Sequence, residues 1–335
     1  MDAVAAGDIV VGADDRLVVG AVGDGDAARG GASLTALVDG VDFQGARSDL
    51  LEAVALGNST QDITISDSNF TNFQASVAGG GGVALRGGGA NSSINVDFAI
   101  TDSLFTGAVG SAINASYTAA AGTIRGYIGG NTIGVDDGIA GSQGSAGGGD
   151  GITAGIDQSN GPGKVTYLLN IEDNDIHDIA GGVGGIVLRS NGGGAGDGAL
   201  LEATLANNVV DELGDFTLAA LYALVGGTDF SGDFASMGLS LTNNVLDAGD
   251  ADFGLNAILL DQLSSDAHFY FPGYAGSPDG EFMGGSASAD LDPYLTGLGN
   301  VMTNGGGASF PGGGIDAGLV LGVTGDALVN PVYFP

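Results

Sequence analysis

Ile63-Thr-Ile-Ser-Asp-Ser-Asn-Phe-Thr-Asn72 alternates apolar and polar residues, meets an Asp-Ser pair, and returns to an apolar residue. The phrase recurs as Ile100-Thr-Asp-Ser-Leu-Phe105, Ile128-Gly-Gly-Asn-Thr-Ile133 and Ile171-Glu-Asp-Asn-Asp-Ile176. Leu205-Ala-Asn-Asn-Val-Val210 and Leu241-Thr-Asn-Asn-Val-Leu246 complete the set, and Leu37-Val-Asp-Gly-Val-Asp-Phe43 is a looser copy. The common pattern is apolar, any, Asp/Gly/Asn, Ser/Asn, any, apolar. Anchors at 65, 100, 128, 171, 205 and 241 stand 35, 28, 43, 34 and 36 residues apart. A recurrence of that length predicts a repeat architecture.

A second short apolar segment follows each anchor: Ala53 to Leu56, Val83 to Leu85, Ala112 to Ala115, Ile152 to Ile156, Ile186 to Leu188, Leu221 to Val225 and Ala257 to Leu260. Each repeat therefore holds two or three short strands, closed by a Gly-rich loop of variable length. One coil of this size cannot bury an apolar face. Stacking coils at ~4.8 Å pairs each backbone with the coils above and below. The expected fold is all-β: a right-handed parallel β-helix solenoid of about seven coils with a C-terminal cap. Ile63, Ile65, Val96, Phe98, Ile100, Ile124, Leu169, Ile171, Leu205, Leu239 and Leu241 are expected to point inward. Asp49 to Ala55 and Leu213 to Leu224 have some helical character, but the repeat phase assigns them to strand or turn.

The turn inside the phrase calls for a residue that tolerates left-handed φ. We expect Asn131, Asn174, Asn208 and Asn244 to fill that position, with Ser68 and Ser103 fitting it less well. The asparagines could stack as an internal polar ladder. An exposed row could instead bind sugar or ice, but turn chemistry is the simpler reading.

Composition narrows the function. Glycine is 66 of 335 residues without a three-residue period, and proline is only 7, which excludes collagen. Net charge is −33, from 7 Lys+Arg against 40 Asp+Glu. Such a chain repels nucleic acid and anionic membranes, and could collect divalent cations. There is no cysteine, which argues against thiolate metal or redox chemistry. The first residues lack the basic and apolar regions of a secretory signal. Either the protein stays inside, or export uses a signal elsewhere, or the chain is a piece of a longer exported protein; one of the last two is the expectation.

The chain divides into residues 1–33, an N-terminal strand pair or cap; 34–265, the β-helix repeats; and 266–335, a capping or docking segment. The last begins with His268-Phe-Tyr-Phe-Pro-Gly-Tyr, continues through a short helix or turn near Leu291 to Asn300, and ends Val332-Tyr-Phe-Pro335. Exposed solenoid ends invite pairing. Head-to-tail assembly would use Asp8, Ile9, Val10 and Val11 against Phe269, Phe271, Tyr333 and Phe334.

Residues 34–265 resemble the parallel β-helix of pectate-lyase-like and autotransporter-like proteins, and the Gly/Asp/Asn-rich, Lys-poor composition resembles large bacterial surface proteins built of β-strand repeats. The resemblance implies a secreted or cell-surface bacterial location. Pectate-lyase-like enzymes use an Arg base beside carboxylates that hold Ca²⁺. Here Arg86 and Arg189 share one phase of the second strand, with Asp150, Asp157 and Glu202 as candidate carboxylates, but no Asp triplet accompanies either arginine. For Ca²⁺ alone, the Asp247-Ala-Gly-Asp-Ala-Asp252 loop offers Asp247, Asp250 and Asp252. Asp173 and Asp175, and Asp136-Asp137, are further oxygen-rich turns. His177 and His268 are read as surface or turn residues. The expectation is a non-enzymatic structural or adhesive extracellular protein. It would self-associate or contact cell-surface polysaccharide, without nucleic-acid partners or a transmembrane segment. A polysaccharide lyase or depolymerase is the rival.

Overall fold

The computed structural model describes residues 2–6, 17–22, 32–45, 48–72, 80–89, 92–136, 149–158, 163–180, 182–192, 198–214, 217–226, 235–248, 256–263, 267–274, 281–282, 288–303 and 315–316. For 2–6, 17–22, 32, 281–282, 288–290 and 315–316 only the backbone is described. Three parallel sheets wrap one core, so the chain is an all-β parallel β-helix.

The long face stacks Asp2–Ala6, Ala32–Asp39, Ser59–Ser66, Ser93–Thr101, Ala121–Gly129, Val165–Glu172, Ala199–Ala206, Ala235–Thr242 and His268–Tyr270. Glu281–Phe282 joins its end antiparallel. The short face stacks Asp42–Gln44, Asn69–Thr71, Leu104–Thr106, Thr132–Ile133, Asp175–Ile176, Val209–Val210, Val245–Asp247 and Val301–Thr303. The third face stacks Leu17–Val22, Leu51–Leu56, Val83–Gly88, Ile113–Ala119, Ile152–Gln158, Gly184–Asn191, Ala219–Val225, Asn256–Gln262 and Ile315–Asp316. Seven coils, from Ala32–Asp39 through Asn256–Gln262, contribute one strand to every face. We number them 1 to 7.

The two N-terminal strands do not pair with each other. Asp2–Ala6 pairs with Ala32–Asp39, and Leu17–Val22 with Leu51–Leu56, so both extend the solenoid. Asp49 to Ala55 and Leu213 to Leu224 run into third-face strands, as the repeat phase requires.

Alternation along the strands fills the interior. All eleven residues expected to point inward are buried. Register sets Val38, Ile65, Ile100, Ile128, Ile171, Leu205 and Leu241 in one row, each touching like residues in neighbouring coils. Each such side chain contributes roughly 1.5–3 kcal/mol by leaving water. Behind the short face, Phe43, Phe70 and Phe105 stack with ring centroids 4.9 and 4.8 Å apart and nearly parallel planes. Gly126 makes room for the Phe98 ring, because a Cβ there would lie 2.3 Å from it.

The turn between the long and short faces is two residues in every complete coil. Its first residue holds the left-handed conformation: Gly40, Asp67, Asp102, Gly130, Asp173, Asn207 and Asn243. The expectation that Asn131, Asn174, Asn208 and Asn244 take this conformation is thus off by one. They are the second residue, and they point inward. Glycine, Asp and Asn are the types that tolerate positive φ, which explains the Asp/Gly/Asn position of the phrase.

The inward residues form a continuous polar ladder. Val41 N–H donates to Ser68 Oγ at 3.1 Å, Ser68 N–H to Ser103 Oγ at 3.1 Å, and Ser103 N–H to Asn131 Oδ1 at 3.1 Å. Backbone N–H groups of Asn131, Asn174, Asn208 and Asn244 then donate to the amide oxygen one coil on, ending at Asn300. Each Nδ2 also donates to that oxygen and to an Ile or Leu carbonyl one coil back. Serine also fills this position, because its hydroxyl accepts the same N–H and donates two residues back, to the Ser66 or Thr101 carbonyl, although it makes fewer bonds between coils than Asn.

A helix, α1 (Ser288–Gly297), packs at the far end. Leu291 and Leu295 are one helical turn apart and fully buried against the last coil. Asn300 Nδ2 donates to the Leu295 carbonyl at 2.8 Å, where the earlier asparagines donate to the next amide. Among the described residues the ladder ends at this amide, beside the helix. Among the described residues, no helix is long and apolar enough to cross a membrane.

Candidate functional site

Outward positions of the third face build a groove of about 580 Å³ spanning coils 3 to 7. Pairing aligns Val54, Arg86, Ser116, Gly155, Arg189, Leu224 and Asp261 in one row. Arg86 and Arg189 thus share a row, as their phase implied, but only Arg189 lines the groove. Arg86 is held by the buried carboxylate of Asp49 at 2.7 Å. Ser116 and Gly155 keep the floor low between them.

Beside this row run Thr118, Asp157 and Asn191 on one side and Thr153 and Tyr222 on the other. Val187, Ala219 and Tyr222 form a small buried cluster on this outer surface, packed by Val183, Leu224 and Leu259. Of these, Val183, Tyr222 and Leu224 line the groove, and with Leu218 and Leu263 they give it an apolar wall. The Tyr222 hydroxyl donates to Asp261 Oδ2 at 2.8 Å. Burial first, and then that carboxylate, raise its pKa, against the opposing charge of Arg189. It stays a neutral donor across the physiological range.

The candidate carboxylates do not converge. Asp157 lines the groove. Asp150 is buried and structural: its Oδ1 accepts Val183 N–H at 2.7 Å and Gly184 N–H at 3.0 Å, and its Oδ2 the Thr153 hydroxyl at 2.7 Å. Glu202 is exposed on the long face, on a different sheet. Asp157 and Asp261 are three coil steps apart, ~14 Å at the strand spacing. A glycosidase pair needs about 5–10 Å.

A second cluster occupies the corner after the short face. One residue beyond the aligned Ile133, Ile176, Val210 and Leu246 come Gly134, His177, Asp211 and Asp247. Asp136, His177 and Glu212 bring one ligand atom each to within 4.8 Å of one another. The His177 side chain is 2% exposed. Its Nδ1 meets Asp211 Oδ1, and its Nε2 lies 2.9 Å from Asp175 Oδ1. The hydrogen bond to Asp211 raises its pKa to about 9, aided by Asp175 and opposed by burial. His177 is therefore not a surface residue. Spacing along the chain hides this cluster, because the loops between coils differ in length. Only the register read from the ladder could have placed 136, 177 and 212 together.

The remaining expected site residues fall elsewhere. Asp247 ends a short-face strand beside Asp211, while Asp250 and Asp252 lie outside the described residues. Asp173 is the left-handed turn residue of its coil. Asp8, Ile9, Val10, Val11, Tyr333 and Phe334 also lie outside the described residues. Phe269 and Phe271 are buried in the core near its C-terminal end. His268 is half-buried on the outer side of the long face, beside Tyr270. No family model, curated protein or solved structure matches the chain.

Proposed function

We propose that this protein is a structural or adhesive β-helix working at or outside a bacterial surface, and that its third-face groove holds carbohydrate. The carrying observation is the groove itself. Tyr222 and the aliphatic wall suit the C–H face of a sugar ring. Ser116, Thr118 and Asn191 suit its hydroxyls, and Arg189 suits one carboxylate or sulfate. Four coil steps, ~19 Å, accommodate a short oligosaccharide. The overall charge of −33 disfavours a densely anionic polymer, so a neutral or sparsely acidic glycan fits better.

The reading is non-catalytic because, among the described residues, Asp157 is the one carboxylate lining the groove, Asp261 lies about three coil steps away, and Arg189 has no carboxylate within 4 Å. Affinity electrophoresis against a panel of neutral and uronate-bearing polysaccharides tests it. Retention by at least one glycan, lost in both Arg189→Ala and Tyr222→Ala, is expected. No retention on any glycan would overturn the binding reading. Release of unsaturated products or new reducing ends would establish the enzymatic rival instead.

A further inference from the structure

We propose that the Asp136–His177–Glu212 corner binds one divalent first-row transition cation, with Zn²⁺ as the probe. The three residues come from three successive coils, and their ligand atoms already lie within 4.8 Å of one another. Bonds of ~2.0–2.2 Å to nitrogen and oxygen place ligand atoms roughly 3–4 Å apart, so small side-chain rotations close the set. Each residue follows a paired short-face strand beside the ladder, which holds the backbone in place.

His177 separates this corner from the many carboxylates of an acidic chain. Its side chain is 2% exposed. Its Nε2 makes no hydrogen bond of acceptable geometry, although Asp175 stands 2.9 Å away. Its Nδ1 is held by Asp211. A carboxylate on one ring nitrogen is what orients a metal-binding histidine through its other nitrogen. An imidazole in the set selects a transition ion, since Ca²⁺ and Mg²⁺ take oxygen ligands. Asp136 is exposed and opens the site to solvent. This corner lies outside the groove lining, so the inference stands independently of the carbohydrate reading.

The test is calorimetric titration of chelator-stripped full-length protein with Zn²⁺ in about 0.15 M salt, where loose counterion binding is screened. One saturable ion per chain is expected. His177→Gln should abolish it. Asp136→Asn, an exposed change that leaves the ion-free melting temperature intact, should weaken it at least about 10-fold, and Asp211→Asn about 10–100-fold. If His177→Gln does not fold, Asp136→Asn decides. X-ray absorption at the zinc edge should show one nitrogen among oxygen ligands. Three results would each overturn the site: Asp136→Asn binding as wild type, only weak multiple binding that salt erases, or stoichiometric displacement of Zn²⁺ by equal Ca²⁺.

Discussion

Replacing Asn208 tests whether the ladder stabilises the fold or merely occupies it. The side chain is fully buried and makes four hydrogen bonds. Oδ1 accepts from Asn174 N and Nδ2 at 3.1 and 2.9 Å; Nδ2 donates to the Ile171 carbonyl at 2.8 Å and to Asn244 Oδ1 at 2.9 Å. Asn208→Ala orphans the Asn174 N–H and removes a donor from Ile171. At about 1–3 kcal/mol for each of these two buried groups left unpaired, the loss is about 2–6 kcal/mol, a large share of the ~5–15 kcal/mol typical of a folded domain. Asn208→Ser should cost about half as much, because Ser68 and Ser103 already show a hydroxyl accepting the N–H of the preceding coil. Asn208→Asp should be worst at neutral pH, since its second oxygen would face the Ile171 carbonyl and Asn244 Oδ1. Protonation removes that conflict, so its penalty should shrink as pH falls. Urea denaturation followed by far-UV circular dichroism measures all three, with midpoints compared because solenoids need not unfold in one step. An alanine variant within about 0.5 kcal/mol of wild type, or an aspartate variant milder than alanine, would refute the reasoning.

The turn residue before the ladder gives a second test. Asn207→Val should destabilise by about 1–2 kcal/mol, because a β-branched side chain is strained at φ 56°, while Asn207→Gly should be nearly neutral in the same urea experiment. Phe70→Ala removes the middle ring of the aromatic stack and should cost about 3–5 kcal/mol; Phe70→Leu should recover more than half, read by thermal melts. His177 sets a pH dependence in ion-free protein. Its folded pKa is raised from 6.5 to about 9. The charged pair with Asp211 and Asp175 therefore contributes fully below about pH 6.5, on the order of 3 kcal/mol, and is lost as pH rises through 9. Melting temperature measured with chelator should fall between pH 7 and 9.5 in wild type and stay flatter in His177→Gln; equal slopes would contradict the assignment.

The repeated phrase made the core legible because a parallel coil imposes one register on every copy. Ile65, Ile100, Ile128, Ile171, Leu205 and Leu241 could be set in one row from the sequence, and the structure stacks them so. The left-handed position was misplaced by one residue because Asn satisfies two different demands, backbone strain and side-chain hydrogen bonding, and the sequence does not say which is in force. Asn207-Asn208 and Asn243-Asn244 show both demands side by side. Asn300 escaped because Gly297 occupies the apolar anchor position, where the helix has replaced the strand. The groove was partly readable, since Arg86 and Arg189 share a phase. Which of them is engaged depended on Asp49, and no local pattern reveals that. The corner cluster was not readable, since 41 residues separate Asp136 from His177 and 35 separate His177 from Glu212.

The two-residue turn is the one corner of the coil that never changes length. The stretch between short and third faces runs from 6 residues at 45–50 to 18 at 134–151, and the stretch returning to the long face from 1 at residue 120 to 9 at 226–234. Both elastic corners border the third face, and the rigid one lies away from it. An insertion there changes what flanks the groove and leaves the amide file untouched. Such a molecule can diversify its recognition surface by changing loop length, while its foldability is inherited intact along the opposite edge.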